Sequence, residues 1–289
     1  MTPTEKRQRL RAILRGSRCV TPLTVFDALS ARIAESVGGE VGILSGSVCA
    51  ATMLGAPDLA LQSLTEFAEQ VRRVSRASDL SIFVDADHGY GNALNAMRTV
   101  EELEHAGLSG LAIEDVALPA RFGGAATELV SVEEMTGKLR AALAARRDPS
   151  LVIVARTAAL RVDGAEIAAA RARAYAKTGV DAIFVTAMKS LAELDTIRKA
   201  VELPIILGTA PALARKDVEA RGVRVALQGH SPVAAAAKAL FETYSHLQAG
   251  GAAAELKSRL ASPEQMSRFL GEERYDQWQR DFLTEFNLK

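Results

Sequence analysis

Ser81-Ile82-Phe83-Val84-Asp85-Ala86-Asp87-His88-Gly89-Tyr90-Gly91-Asn92 is the stretch from which the architecture can be read. Its apolar run is short, continuous and partly β-branched, which fits a strand buried on both faces, as in a parallel sheet. It then breaks into carboxylates, a histidine and two glycines. The same pattern recurs along the chain, at 18–22 (the weakest), 41–45, 81–85, 110–114, 151–155, 182–186, 204–208 and 223–227. Between these runs lie stretches of helical period, at 59–78, 93–106, 132–145, 164–178, 191–201 and 233–248. Gly107, Gly179 and Gly222 stand between a helical stretch and the next run, where a helix stop is expected. Strand and helix alternate about eight times without a composition break, which predicts a single (β/α)8 barrel rather than an open sheet. No dinucleotide-type glycine fingerprint follows the first run, which also speaks against the open form.

The bulk properties narrow the class. The 289 residues carry 35 lysines and arginines against 35 aspartates and glutamates. No net field draws nucleic acid or an anionic membrane, so any anion site must be local. The start, Met1-Thr2-Pro3-Thr4-Glu5-Lys6, is polar, and no run reaches the ~18 apolar residues of a membrane span, so a cytoplasmic protein is expected. Cys19 and Cys49 form no CxxC pair and read as buried free thiols. Beyond about residue 252 the period is helical and amphipathic, through Leu256, Leu260, Met266, Phe269, Leu270, Tyr275, Trp278, Phe282 and Phe286. This extension (about 252–289) packs either on the barrel's own helices or on a neighbouring subunit.

Catalytic groups of a β/α barrel come from the C-terminal ends of its strands. Those ends carry Ser45-Gly46-Ser47, Asp85 and Asp87, Glu114-Asp115, Arg156-Thr157 and Gly229-His230-Ser231. On a strand, Asp85 and Asp87 would share a face, and two such charges are unfavourable without a cation. With Glu114 one strand on, an oxygen-ligated Mg2+ or Mn2+ fits better than Zn2+; the bland alternative is helix capping. Ser45, Gly46 and Ser47 offer hydroxyls and N–H groups to a carboxylate. Arg156 offers a planar fork for a carboxylate or enolate oxygen, or a structural ion pair with a neighbouring acid. His230 can bind a substrate carboxylate or shuttle a proton. His88 is a weaker candidate; His105 and His246 fall within helices and read as ordinary.

Taken together, these residues resemble the isocitrate lyase/phosphoenolpyruvate mutase superfamily. The resemblance covers nearly the whole chain, through Phe26-Asp27-Ala28-Leu29-Ser30-Ala31, the Ser-Gly-Ser turn, the segment 85–92, Ile113-Glu114-Asp115 and Ala155-Arg156-Thr157. Within it the oxaloacetate decarboxylase branch is the nearest likeness, through His88, Asn92-Ala93-Leu94-Asn95, Met97-Arg98-Thr99-Val100 and Gln228-Gly229-His230. The resemblance implies Mg2+ held by Asp85, with Asp87 and Glu114 acting through water. It implies a 2-oxo-acid bound by Ser47, Arg156 and His230, and a homotetramer in which C-terminal helices are exchanged between subunits. The superfamily's lyases carry a cysteine and a histidine on a loop after the fourth strand. Here that loop reads Leu118-Pro119-Ala120-Arg121-Phe122-Gly123-Gly124, with neither.

Decarboxylation of oxaloacetate, or of a close 2-oxo-diacid, to pyruvate and CO2 is therefore the expected activity. The alternatives are C–C lysis of a substituted malate, phosphonopyruvate hydrolysis, or a non-catalytic oxo-acid-binding barrel. Two departures from the branch are expected to reshape the pocket: Ala158 after the Arg-Thr pair, and the seventh run's end Leu207-Gly208-Thr209-Ala210-Pro211.

Overall fold

The computed structural model describes residues 1–120, 122–123 and 127–283. Helix α1 (Pro3–Arg15) leads to β1 (Leu23–Thr24), α2 (Ala28–Ser36) and β2 (Val41–Leu44). Next come α3 (Gly46–Cys49), a π-helical stretch Ala50–Leu54, α4 (Leu64–Ala77), β3 (Ser81–Asp85), α5 (Ala93–His105) and β4 (Gly110–Glu114). They are followed by α6 (Val132–Ala145), β5 (Val152–Thr157), α7 (Ala159–Val162), α8 (Ala165–Ala176), β6 (Ala182–Val185) and α9 (Leu191–Ala200). The barrel ends with β7 (Ile205–Leu207), α10 (Arg215–Glu219), β8 (Val223–Ala226) and α11 (Ser231–Gln248). A 3-10 stretch (Ala253–Arg259), α12 (Pro263–Leu270) and α13 (Glu272–Phe282) complete the described chain.

The eight strands pair in parallel and in sequence order. Val20 closes the ring on β8: its N–H donates to Arg224 O (2.9 Å), and Ala226 N–H donates to Val20 O (3.0 Å). The first strand thus lies later and is more broken than the run at 18–22, because only Leu23 and Thr24 keep a ladder register with β2.

Strand side chains divide between two cores, as the twofold period of a barrel stave requires. Val41, Ile43, Phe83, Ala112, Val154, Phe184, Ile206 and Val225 fill the interior, whereas Leu44, Ile82, Val84, Leu111, Ile153 and Ile183 pack outward under the helices. Helix α1 plugs the floor with Leu10, Ile13 and Leu14, which join the interior core. Its basic face ties down the loops there: Arg7 donates to Glu104 O (2.8 Å) and Leu108 O (3.0 Å), and Arg11 pairs with Asp181 (2.8 Å). With the floor sealed, the opposite end is left for a ligand.

Candidate active site

A cavity of about 370 Å³ opens at the C-terminal ends of the strands, and Ser45, Ser47, Asp85, Asp87, Glu114, Arg156 and His230 line it together. Sequence-distant residues meet here because each closes a stave. The two aspartates arrive by different routes. Asp85 is the last residue of β3. Asp87 lies beyond the strand with φ of 47°, a left-handed conformation uncommon outside glycine but tolerated by aspartate. The turn, rather than strand alternation, brings its carboxylate to the cavity. The next strand holds that turn in place, through Ala86 N–H donating to Ala112 O (2.9 Å) and Glu114 N–H to Asp87 O (2.8 Å). Gly46 does not line the cavity; a Cβ there would fall on the Asp87 carboxylate, so its lack of a side chain makes room for that group.

Arg156 lies between the acids. Its Nη1 bonds Asp85 Oδ2, its Nη2 lies 3.1 Å from Glu114, and its guanidinium sits 5.4 Å from the Phe184 ring centroid. Burial dominates the electrostatics. Burial first, and the nearby Asp58 charge second, push the Asp87 carboxyl up to about 7. Burial followed by the charges of Asp87 and Asp115 pushes Glu114 up to about 8, despite the guanidinium beside it. Asp85 Oδ1 is buried with no hydrogen-bond partner among the described residues.

His230 belongs to a short relay. Its Nδ1 is 3.0 Å from Thr24 Oγ1 and its Nε2 is 3.1 Å from Ser45 Oγ, which in turn is 2.9 Å from Ser47 Oγ. The Thr24 hydroxyl donates to Gly229 O (3.2 Å), so Nδ1 must supply the proton to Thr24 and Nε2 is left as acceptor for the Ser45 hydroxyl. Burial pushes the imidazole pKa below its ordinary value, which keeps this neutral tautomer at pH 7.

Behind the cavity, Asp115 is fully buried and accepts from Thr157 Oγ1 (2.7 Å), Ala158 N–H (3.0 Å), Tyr175 OH (2.9 Å) and Arg171 Nη1 (3.3 Å). These bonds fix the end of β5, on which Arg156 stands. Ala158 is buried in this network and does not line the cavity, so the pocket reshaping expected of it does not follow, whereas Gly208 and Thr209 do line it. His88 is buried outside the lining, and burial followed by the Lys138 charge lowers it to about 4. Cys49 is a buried thiol raised to about 12 by burial, which fits an inert core residue. Thr24, Asp58 and Arg161 were not singled out in the sequence; the first two are isolated polar residues in loops or short strands, with no motif around them.

The donor set suits a hard divalent cation. All candidate ligands are oxygens, and an unsatisfied buried carboxylate oxygen and two carboxyls held above their usual range are the marks of a site built for positive charge. Among the described residues no three His, Cys, Asp or Glu side chains converge closely enough to ligate one ion directly. That spacing fits Mg2+ held by one or two carboxylates with water completing its shell.

Comparison with known proteins adds four findings. Residues 10–248 match the phosphoenolpyruvate phosphomutase family. The chain is 54% identical over 269 residues to a protein of Rhodopseudomonas palustris (strain BisB18) named oxaloacetate decarboxylase, an alignment covering 92% of this chain and 93% of the relative. Among solved structures, a phosphonopyruvate hydrolase complexed with oxalate and Mg2+ superposes with a TM-score of 0.86 at 30% identity, covering 98% of this chain and all of that one. An oxaloacetate acetylhydrolase bound to the inhibitor 3,3-difluorooxaloacetate also gives 0.86, at 25% identity, covering 99% of this chain and all of that one. With the barrel, the acidic cavity and a family match over most of its length in agreement, the chain belongs to the phosphoenolpyruvate mutase/isocitrate lyase superfamily.

Proposed function

We propose that the protein decarboxylates oxaloacetate to pyruvate and CO2 with Mg2+, or Mn2+ in its place. The observation that carries this reading is one cavity lined by four acids, two guanidinium groups and a neutral His–Ser–Ser relay, in a chain 54% identical to an oxaloacetate decarboxylase. The bound ion supplies positive charge to the keto group and so makes it an electron sink. Asp85 would hold it directly, and Asp87 and Glu114 through water.

The chain's own groups do the rest. Ser47, with Ser45 behind it, and His230 bind and orient substrate oxygens. When the C3–C4 bond breaks, its electron pair moves into C2–C3 as charge builds on the keto oxygen, and C4 leaves as CO2. Arg156 stabilises that charge from a desolvated position, where a guanidinium acts most strongly. C3 then takes a proton from water, and the His230–Ser45–Ser47 relay is placed to move one. This chemistry needs no acid/base on the loop after β4, which has neither cysteine nor histidine. Phosphonopyruvate hydrolysis and malate-type C–C lysis are the competing activities.

No helix among the described residues is long and apolar enough to cross a membrane, which is compatible with a cytoplasmic enzyme. For the assembly we favour a homotetramer exchanging C-terminal helices, because no side chain of α11 is fully buried on its own barrel. The 1–289 chain is then one barrel domain with a helical extension from about 252.

The test is to supply oxaloacetate, methylisocitrate and phosphonopyruvate with Mg2+ and measure pyruvate and glyoxylate. Pyruvate should form from oxaloacetate and stop on chelation. Oxaloacetate loss no faster than with Mg2+ alone overturns the assignment.

A further inference from the structure

We infer that Arg161, at the rim of the cavity, forms the subsite for the substrate's second carboxylate and so selects 2-oxo-diacids over 2-oxo-monoacids. The inference rests on the proposed activity and names the residue that sets its substrate class.

Four carboxylates line the cavity, Asp58, Asp85, Asp87 and Glu114, against two guanidinium groups, Arg156 and Arg161. A divalent ion would balance the remaining charge. A dianionic substrate then brings two further negative charges and needs a cation at each end. One end is provided for by the ion with Arg156, whose two terminal nitrogens already face Asp85 and Glu114. Arg156 is therefore committed.

Arg161 is differently placed. It stands on α7, directly after β5, where its backbone N–H donates to Ala158 O (3.0 Å). Its side chain is exposed and forms no ion pair among the described residues; its Nη2 lies 3.5 Å from the neutral Thr127 hydroxyl. Its charge nevertheless reaches the site, since it opposes the burial that raises Glu114 and adds to the burial that lowers Arg156. A planar guanidinium fork at the mouth, without an ion pair among the described residues, is suited to bind a carboxylate bidentately.

The rim position also suits a carboxylate that must leave. The C4 carboxylate keeps its charge until the C3–C4 bond is largely broken, so the contact is shared by bound substrate and transition state and is lost only as CO2 departs. Such binding lowers KM without raising kcat. Held at the solvent edge, the pair is weak enough not to trap the ground state.

The test compares wild type, Arg161→Ala and Arg161→Lys with Mg2+ present. For Arg161→Ala, KM for oxaloacetate should rise about tenfold to a hundredfold while kcat stays within about twofold. Arg161→Lys should recover part of the loss, having the charge without the fork. Oxalate, which lacks the C4 carboxylate, should inhibit all three proteins equally. Calorimetric binding of 3,3-difluorooxaloacetate against oxalate gives the same comparison without turnover, and only the former should weaken in Arg161→Ala. An unchanged KM overturns the subsite, as does a parallel loss of oxalate binding, which would mark Arg161 as a support of the whole pocket. If wild type turns over no oxaloacetate, the proposed activity falls, and the binding comparison still decides the subsite.

Discussion

Asp87 and Glu114 show how single residues store the need for a cation. Each carboxyl is held above its ordinary range by burial and neighbouring acids, to about 7 and about 8. Their folded pKa values exceed the unfolded ones, so in the metal-free protein these groups favour folding fully below about pH 4. That contribution is lost as the pH rises through 7 to 8. The ion binds the deprotonated pair and therefore stabilises most where the free protein has lost most. The rise in Tm given by about 10 mM Mg2+ should thus be small at pH 5.5 and grow steadily to pH 8.5, a trend expected of linked protonation and binding. Thermal unfolding across that range, with and without Mg2+, measures it. A Mg2+ shift that is flat or falls with pH would separate these two carboxyls from the ion site.

At the scale of elements, the end of β5 depends on a group that never reaches the cavity. Asp115 accepts four hydrogen bonds from β5 and from α8 and so fixes the strand end that carries Arg156. Asp115→Asn should cost about 2–3 kcal/mol of stability, and Tyr175→Phe about 1 kcal/mol, as a buried charged acceptor and one neutral donor are removed. Denaturant unfolding gives both values, and the first variant should also lose about tenfold in kcat through a displaced Arg156. Equal stabilities for Asp115→Asn and wild type would show that the network carries no load. This network also marks the limit of the sequence reading. The strands at 81–85 and 110–114 and the helix at 132–145 fall at their observed bounds, because continuous apolar runs and a Ser131 cap are local signals. Helix α1 went unread because its buried face includes Lys6 and Arg7, whose partners lie 69 to 141 residues away. Asp85, Asp87, Glu114, Arg156 and His230 could be read because they end apolar runs. Thr24, Asp58 and Arg161 could not, since only the closed ring brings them to the mouth. Of the residues named in the sequence, Arg121, Gly124 and Phe286 lie outside the described residues.

For the molecule as a whole, the barrel is closed in its strands but incomplete in its coat. Helix α11 is the eighth to follow a strand of the ring, yet none of its 18 residues is buried. Leu240, Phe241, Tyr244 and Leu247 are exposed at spacings that place them on one face. Tyr275, Trp278 and Phe282 of α13 are exposed as well, whereas Leu256 is buried and Arg268 anchors α12 to Ser36 O at 3.2 Å. So much contiguous apolar surface on one helix is rare on a monomer and is what an exchanged helix would bury against a second copy. The proposed tetramer should therefore show a light-scattering mass about four times the 30.8 kDa of the chain. Phe241→Asp places a charge in the middle of that face, where an interface aromatic contributes about 2–4 kcal/mol. The variant should dissociate at micromolar concentration while each barrel keeps its secondary structure by circular dichroism. A wild-type mass of a single chain, or an undiminished mass for Phe241→Asp, would leave this face without a partner subunit.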